Sequence, residues 1–557
     1  MQNPVLDIHA TKPGSAPCDR APEFLVPSVA CLAFALFHAS PFLAAEVDNS
    51  EGVSIRWDNT VAYTTAFRLS ARNPGLLADR NTDDGDRNFA PGIISNRFDL
   101  LSQLDISKAW FGFDASAALW YDTVYHEKNA NNSPSTFNPI SVPHDKFPHA
   151  VQELQGEQAE LVNAFFHGDT EVAGLPFSFR VGRHTLLWGE SLFFPDNGIA
   201  AGQAPVDQNK VLGQPSAYAK DVFMPVAQAS ASLQFLDGLS LEAYYQFEWR
   251  KTRLPGSGSY FSIADYLDVG GERYLLGSGR YLIRDRDRTP PNSGQFGAAL
   301  RWSIGEIDYG LYALRFNAKD PQIYLRPGIS AQASGPPMII DPSIVNLATG
   351  QAGTYNLVYP RGIKIFGASA SGYLGNSNIA AEISGRSNMP LVSTRLIEPP
   401  GRMVDANKNQ LYAVGDTLHA QISTITTFGR SSIWDSANLN AEFAAVERIA
   451  VTKNTSALDP LTDKLAVAFR GSFEPTYFAI LPSLNLIPSI GLGYNLVGNS
   501  SIDSYQSHGA GDLDLGVTAN YRVVWTASIK FSHFIGNPYR QPLADRDFIS
   551  LSIQRTF

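Results

Sequence analysis

The segment LSLEAYYQFEWR, residues 239–250, shows the most regular two-residue alternation in the chain. One face is apolar and aromatic and consists of Leu239, Leu241, Ala243, Tyr245, Phe247 and Trp249. The opposite face includes the charged residues Glu242, Glu248 and Arg250. Because successive side chains of a β-strand point to opposite faces, the pattern predicts a strand between apolar and polar surroundings. Such a strand suits either a soluble β-sandwich or a membrane β-barrel.

The same alternation recurs along the chain and predicts about 18 strands, within a range of 14–18. They are placed near 53–68, 96–107, 109–123, 157–168, 175–187, 225–236, 239–252, 293–303, 306–317, 355–370, 377–387, 416–428, 433–450, 463–474, 483–497, 511–522, 525–536 and 547–557. The connections between them alternate between long and short. This asymmetry is typical of outer-membrane barrels, so the predicted fold is all-β, a transmembrane antiparallel β-barrel.

Three of the long connections matter most for function. Residues 253–292 and 318–354 are predicted to be long extracellular loops. Residues 188–224 form an aperiodic stretch rich in Pro and Gly. Long loops in compact proteins are usually functional or disordered, so we interpret this stretch as an inward-folded loop or plug that constricts the pore. An ordinary extracellular loop is the alternative.

The first 45 residues are predicted to be a signal peptide, which leaves residues 46–557 as the barrel. The apolar centre, 29–37, has the length of a signal-peptide core, and Ala44 and Ala45 offer a cleavage site. A single transmembrane anchor is the alternative. Both cysteines, Cys18 and Cys31, lie before the cleavage site, so the mature chain is expected to have no disulfide and no cysteine-ligated metal.

The chain ends with DFISLSIQRTF, in which Ile549, Leu551, Ile553 and Phe557 share one face. This ending resembles the C-terminal recognition signal of bacterial outer-membrane proteins, with Phe557, Ile553 and Leu551 as the assembly signal. The resemblance implies the cell outer membrane as location. It implies the barrel assembly machinery, membrane lipid and lipopolysaccharide as partners.

Two blocks resemble the domain of unknown function 1302 family, whose members are predicted outer-membrane proteins of proteobacteria. The first, GRHTLLWGESLFFPDNGIAAGQAP, spans 182–205 and contains Gly182, Arg183, Trp188, Gly189 and Glu190. The second spans 239–271 and contains Tyr245, Gln246, Glu248, Trp249 and Arg250. The resemblance implies an outer-membrane location and an association with export or uptake of hydrophobic compounds.

The candidate pore and constriction residues come from these two blocks and the strand before them. They are Arg180, Arg183, Trp188, Glu190, Phe193, Phe194, Asp196, Glu242, Glu248 and Arg250. Arg180, Glu242, Glu248 and Arg250 are expected to face the lumen, where charges of both signs orient polar or amphipathic solutes. The alternative is a salt-bridge network that stiffens the interior. Arg183 falls on the apolar face, so either a bulge shifts the strand near Gly182 or the strand leaves the membrane there.

The acidic stretch DRNTDDGDRN, residues 79–88, is similar to a calcium loop. Gly85 sits one place late for the EF-hand pattern, and Ala90 stands where the bidentate glutamate belongs. A solvated loop is therefore the preferred interpretation. The sequence predicts no catalytic residue, cofactor or metal ligand.

Several functions are disfavoured by composition and motifs. The net charge is −10 and there is no basic block, which argues against nucleic-acid binding. The chain has neither a Gly-x-Ser-x-Gly nor a His-Glu-x-x-His motif, so an enzyme is not expected. An outer-membrane hydrolase built from distant residues is the weakest of the alternatives.

The predicted function is a channel or uptake or export conduit for small solutes. The patches 192–194 and 260–261 are apolar and favour hydrophobic or amphipathic solutes. A porin for small anions or sugars is the nearest alternative, and a surface-exposed binding or adhesion barrel without conductance is the next. Periplasmic or inner-membrane transport components are further partners under this hypothesis.

Overall fold

A computed structural model describes residues 47–48, 52–214, 217–330, 338–394, 396–502 and 507–557. The predicted signal peptide, 1–45, lies outside the described residues, and the architecture below belongs to the unit Ala44–Phe557.

The chain forms a closed antiparallel barrel of 18 strands, which confirms the predicted fold. The strands, here numbered β1 to β18, are Val53–Arg68, Gly92–Lys108, Phe111–Asp122, Glu157–Val172, Leu175–His184, Val226–Leu236, Leu239–Gln246, Gln295–Ile304, Ile307–Phe316, Ile363–Leu374, Ser377–Pro390, Val414–Phe428, Ser436–Lys453, Leu465–Leu481, Leu484–Val497, Gly511–Tyr521, Trp525–Ile535 and Phe548–Thr556. Each strand pairs with its neighbour in sequence. β18 pairs with β1 from Thr60↔Thr556 to Arg68↔Phe548 and closes the ring.

The connections alternate in length around the whole ring, as the sequence predicts. Turns such as 173–174, 237–238, 305–306 and 375–376 join strands at one end of the barrel. Long loops, among them 69–91, 123–156, 185–225, 247–294 and 317–362, join strands at the other end. This is the arrangement of short periplasmic turns and long extracellular loops in outer-membrane barrels.

The helices are short and lie in the long loops. They are Asp84–Arg87, Thr123–His126, His149–Val151, Gln152–Gly156, Ile199–Gly202, Gln208–Gly213, Ala219–Val222, Pro342–Ile344 and Thr455–Ala457. None of the helices in the described ranges has the length and hydropathy needed to cross a membrane.

Burial alternates along the strands as their sequences alternate. In β11, Ile383 is 49% exposed while the adjacent Glu382 is only 4% exposed. Ile422 beside Gln421 and Phe443 beside Glu442 repeat this contrast in β12 and β13. The apolar side chains therefore face outward and the polar ones face the interior, which is the opposite of a soluble β-sandwich.

Three long loops build a second, five-stranded sheet outside the barrel wall. Its strands are Arg273–Gly277, Arg280–Arg284, Gln322–Pro327, Gln351–Val358 and Leu396–Ile397. Gln351–Val358 pairs in parallel with Arg280–Arg284 and antiparallel with Gln322–Pro327. The predicted barrel strand 355–370 was therefore wrong at its start, because residues up to Val358 belong to this sheet and the barrel strand begins at Ile363.

Two other local predictions need correction. The strand predicted over 239–252 ends at Gln246, so Glu248 and Arg250 lie in the following loop. Of the two alternatives for the loss of alternation near Gly182, the bulge is excluded, because β5 pairs without a register shift on both sides through Arg183. Arg183 lies next to the last residue of that strand, where it can reach Glu248 of the loop at 3.9 Å.

The outward position of Ile529 on β17 predicts a large cost for a charge there. Ile529→Arg is expected to lower the free energy of unfolding by about 2–4 kcal/mol, since arginine on the lipid face of a barrel must leave water. Reversible urea unfolding in lipid vesicles measures this. Ser528→Arg, one residue away on the inward face, is the control and is expected to change stability much less; equal losses would contradict the assignment of faces.

Candidate functional site

The loop between β5 and β6 extends into contact with distant strands of the barrel. The side chain of Glu442 on β13 accepts backbone hydrogen bonds from Leu192, Phe193 and Phe194 at 3.1, 2.5 and 3.1 Å. Glu442 is fully buried. Three successive N–H groups of the loop are thus satisfied by one carboxylate of the wall.

A second carboxylate holds the same loop. Glu382 on β11 accepts the backbone N–H of Glu190 at 2.7 Å and that of Ile199 at 2.6 Å. Gly189 lies against this carboxylate, and a Cβ at that position would stand 2.0 Å from Glu382 Oε2. Gly189 also has a φ of +87°. Only glycine allows this backbone conformation at this close approach.

The wall also binds the loop's carbonyl groups. Arg386 lies four residues after Glu382 on the same face of β11. It donates to the carbonyl oxygens of Asp196, Asn197 and Gly198 at 2.9, 2.5 and 2.9 Å. Glu382 therefore binds N–H groups of the loop backbone, and Arg386 binds its carbonyl groups.

Polar side chains of β12 complete the attachment. His419 Nδ1 lies 2.9 Å from Asn197 Oδ1, and Asn197 Nδ2 donates to Gln421 Oε1 at 3.0 Å. His419 and Asn197 are both buried. Since Asn197 bridges two wall residues, the loop is held by side-chain contacts as well as backbone contacts.

Apolar packing fixes the loop against the neighbouring strands. Ile199 is completely buried and belongs to a cluster with Leu314 of β9 and Ile365 of β10. Trp188 belongs to the same cluster, and its Nε1 donates to Glu242 Oε2 of β7 at 2.7 Å. The contacts of residues 188–199 thus reach from β7 to β13.

A cavity of about 470 Å³ lies between the start of this loop and side chains of strands β2 to β7. Its charged lining consists of Asp105, Asp114, His167, Asp169, Arg180 and Glu242. Phe165 and Trp188 contribute aromatic surface. The cavity therefore offers charges of both signs beside apolar rings.

Arg180 is the cavity's guanidinium, and among the described residues it has no carboxylate within ion-pair distance. Its guanidinium lies 6.0 Å from the ring centroid of Phe165. His167 Nε2 lies 3.3 Å from Asp114 Oδ2. Arg180 is therefore the cavity's main candidate for binding an anionic group.

Two other predicted lumenal charges, Glu248 and Arg250, lie in the loop after β7 among paired charges. Arg250 and Arg253 both contact the carboxylate of Glu160, and Arg253 also pairs with Asp207 at 2.8 Å. Glu248 accepts the backbone N–H of Ala227 at 2.9 Å. For Glu248 and Arg250, the arrangement matches the alternative of a stiffening network.

The remaining predicted site residues lie along the loop. Glu190 Oε1 is 3.4 Å from Ser369 Oγ, and burial raises the pKa of Glu190. Phe193 is buried and stacks on Tyr218 with ring centroids 5.5 Å apart. Phe194 and Asp196 contribute to the attachment of the loop through their backbone groups, which bind Glu442 and Arg386.

The apolar patches that suggested hydrophobic solutes are part of the packing. Phe193 is buried beside Tyr218, and Tyr260 is buried in a cluster with Phe89, Phe147 and Phe548. Phe261 packs against that cluster. These side chains stabilise the loops, so they do not argue for a hydrophobic solute.

Within the part of the chain that the structure describes, two groups of side chains have the geometry to hold a metal ion. Asp105, Asp114 and His167 form one group in the cavity, and Asp83, Asp84 and Asp265 form the other in the loops. In each group the three ligand atoms lie within 4.8 Å of one another.

Sequence analysis missed the wall residues that hold the loop: Glu382, Arg386, His419, Gln421 and Glu442. Strand alternation does place Glu382 and Arg386 on the inward face, because they are four residues apart. Their partners, however, lie about 190 residues earlier in the chain. No local pattern could have identified them.

The family model described as "Protein of unknown function (DUF1302)" matches residues 25–557. No curated protein matches the sequence.

Three of the similar solved structures, all at very low identity, are the following. Acinetobacter baumannii OccAB3 has 9% identity and a TM-score of 0.41, over 90% of this chain and 99% of that one. Pseudomonas aeruginosa OccK2 (OpdF), in complex with glucuronate, has 8% identity and a TM-score of 0.41, over 90% and 98%. The Acinetobacter baumannii outer membrane channel DcaP has 8% identity and a TM-score of 0.37, over 92% and 100%.

Glu442→Leu is expected to release the loop, because three backbone N–H groups lose their acceptor. A hydrogen bond to a charged group contributes about 1.5–3 kcal/mol. The loss of all three bonds should therefore raise the fraction of molecules in which the loop is released at least ~100-fold. The rate of limited proteolysis within 188–224 measures it. Glu447→Leu, on the same strand but paired with Lys464, is the control. Equal cleavage rates in wild type and Glu442→Leu would contradict this role.

The burial of Lys319 predicts that the stability of the folded chain depends on pH. Its Nζ donates to the carbonyl oxygen of Ala201 at 2.9 Å, and burial lowers its pKa to about 7. Asp320 and Asp196 favour the charged form, whereas Arg386 opposes it. Between pH ~7 and ~10.5 the unfolded chain holds a proton that the folded chain lacks, so stability rises with pH.

Comparison of wild type with Lys319→Met tests this sign. The difference between the free energies of unfolding of wild type and variant should increase by up to about 1.4 kcal/mol per pH unit between pH 7 and 9. Below pH 6 this difference should stay constant. Lys408→Met, in an exposed loop position, is the control. A difference that is constant from pH 5 to 9 would show that Lys319 does not titrate in this range.

Proposed function

The chain belongs to the DUF1302 family, and we propose that it forms an outer-membrane channel for small solutes, narrowed by the loop segment 188–224. The closed 18-stranded barrel with a polar interior carries this proposal. Barrels of 16–18 strands are wide enough to leave an aqueous channel unless something fills them. The outward apolar face suits membrane lipid and lipopolysaccharide as surroundings.

The contacts of segment 188–224 support a constriction. It leaves the wall at β5, and its backbone binds Glu442 on β13, eight strands further around a ring of 18. Its contacts with inward-facing side chains from β7 to β13 support a position inside the ring, where the segment takes up part of the lumen. A pore narrowed in this way selects solutes by size and by the charges beside the constriction.

The cavity beside the segment supports small amphipathic solutes that carry a charge. Arg180 lines this cavity of about 470 Å³ together with the carboxylates of Asp105, Asp114 and Glu242. Such an arrangement creates a transverse field that orients a charged or dipolar solute. Phe165 and Trp188 provide apolar contact for the rest of the solute.

Two further partners are proposed, one for the C-terminal strand and one for the end of the barrel that carries the short turns. The C-terminal strand, which ends with Leu551, Ile553 and Phe557, is proposed to be recognised by the barrel assembly machinery. Transport through the channel would bring periplasmic or inner-membrane components into contact with the end that carries the short turns.

Single-channel conductance in a planar bilayer tests the channel and its constriction. The mature chain, 46–557, is compared with a variant that lacks residues 190–222. We expect stable conductance from the wild type and a larger conductance from the deletion, since the segment no longer narrows the lumen.

Glu442→Leu and Glu447→Leu are matched point variants for the same measurement. Only Glu442→Leu is expected to raise or destabilise the conductance, because only Glu442 binds the segment. Conductance that is identical in wild type and deletion would contradict the constriction. No conductance in any variant would contradict the channel and leave a surface-binding barrel as the better function.

A surface-binding function has its own support in the five-stranded sheet built from three extracellular loops. An ordered sheet outside the wall presents a more rigid surface than separate loops do.

A further inference from the structure

The acidic stretch 79–88 is buried at a junction of several long loops. Asp83, Asp84 and Asp86 are at most 1% exposed, so the prediction of a solvated loop was wrong. Asp265, from the loop between β7 and β8, is completely buried beside them. Asp83, Asp84 and Asp265 each place one oxygen within 4.8 Å of the other two. Oxygen ligands of one calcium ion, each 2.3–2.6 Å from it, lie within about 5 Å of one another.

The neighbouring arginines leave Asp84 and Asp265 without a paired cation, although one of them pairs with Asp83. Arg68 pairs with Asp86 at 2.6 Å and with Asp545 at 3.1 Å, and Arg87 pairs with Asp83. Arg546 donates to the carbonyl oxygens of Tyr260 and Ser262. Among the described residues, no cation lies within ion-pair distance of Asp84 or Asp265. Arg273 and Arg546 favour their charged forms only from a longer distance.

Several buried oxygens at this junction have no hydrogen-bond donor. They are Asp83 Oδ1, Asp265 Oδ1 and Asn138 Oδ1. Thr136 lies near Asp83, but its hydroxyl donates to Ser133 at 2.9 Å. Asn138 belongs to the site because its backbone N–H donates to Asp84 Oδ2 at 2.9 Å. Buried acceptors without partners are costly, and each of them requires a compensating ligand.

A proton shared between carboxyls would relieve only part of this cost. Burial and mutual repulsion raise the pKa of Asp84, and burial raises the pKa of Asp265. Protonation of one of them would remove one charge but would add only one hydrogen-bond donor to a site with three unpartnered oxygens. A divalent cation compensates the buried charge and the unpaired oxygens together.

We propose that Asp83, Asp84 and Asp265 bind one calcium ion, with Asn138 Oδ1 as a neutral ligand and water in the remaining positions. All four supply hard oxygen ligands, as calcium prefers. The ion joins the loops 69–91, 123–156 and 247–294, which carry these residues. Extracellular calcium sites of this kind have dissociation constants of about 10⁻⁴–10⁻³ M.

The backbone around the site is already fixed for such a role. The N–H of Asp84 donates to Asp265 Oδ2 at 3.0 Å, which joins two of the ligand-bearing loops directly. A Cβ on Gly85 would stand 2.5 Å from the carbonyl oxygen of Ser262. The two loops are therefore packed as closely as glycine allows, and the carboxylates are held together without the ion.

Isothermal titration of the full-length mature protein in detergent, after treatment with EDTA, tests the site with CaCl₂ as the probe. We expect one site with a sub-millimolar to millimolar dissociation constant. Asp265→Asn is expected to weaken binding about tenfold or more, since even second-shell changes cost about 10–100-fold in metal affinity. Asp285→Asn, in the same loop but exposed, is the control and should bind as wild type does.

A second measurement on wild type alone keeps the test independent of the folding of the variants. The midpoint of thermal unfolding, followed by the band shift of the folded barrel on gels, should rise in millimolar CaCl₂ relative to EDTA. The same concentration of MgCl₂ should raise it less, because a site of four protein oxygens does not suit magnesium's preference for water ligands.

No heat of binding and no thermal shift in wild type would overturn the proposal, as would equal affinity in Asp265→Asn. Its failure would leave the channel proposal unaffected, because conductance is measured separately.

Discussion

The structure depends on the pairing of its first barrel strand with its last. Hydrocarbon offers no partner for a free strand edge, so every backbone N–H and C=O in the wall must be satisfied by a neighbouring strand. The pairing of Thr60–Arg68 with Phe548–Thr556 removes the only two edges that the meander would leave. The ring also fixes which face of each strand is inside, because a shift of one residue would turn every side chain to the other face.

Closure creates an interior that the wall alone cannot fill. The inward residues of β11–β13 are charged or polar, and a wide lumen would leave Glu382, Arg386 and Glu442 facing only water. Instead, these three side chains bind the backbone of one loop. The wall and the loop are therefore complementary: each supplies the hydrogen-bonding groups that the other lacks.

The fold was largely predictable from the sequence, because alternation is a local property. Segments such as 239–246 and 465–469 show their two faces within a few residues, and 18 strands were placed from such patterns. Alternation fails where a strand pairs outside the barrel. Residues 351–358 alternate well enough to form a strand, but their partners are other loops, 280–284 and 322–327, and nothing local distinguishes them from wall residues. The contacts of Glu442 with Leu192–Phe194 are equally long-range and could not be predicted.

The way the loop is held also explains which of its residues are constrained. Glu382, Arg386 and Glu442 bind N–H and C=O groups that every residue except proline possesses in full. These backbone contacts do not depend on which side chains the loop carries. The constrained loop residues are Gly189, where the backbone touches a carboxylate, Asn197, which bonds to β12, and the packed side chains of Trp188 and Ile199. A wall side chain that faces the cavity without binding the loop, such as Arg180, can then change without releasing it. If the barrel conducts solutes as proposed, one scaffold would serve for different solutes, since charges beside the segment such as Arg180 could vary independently of its attachment.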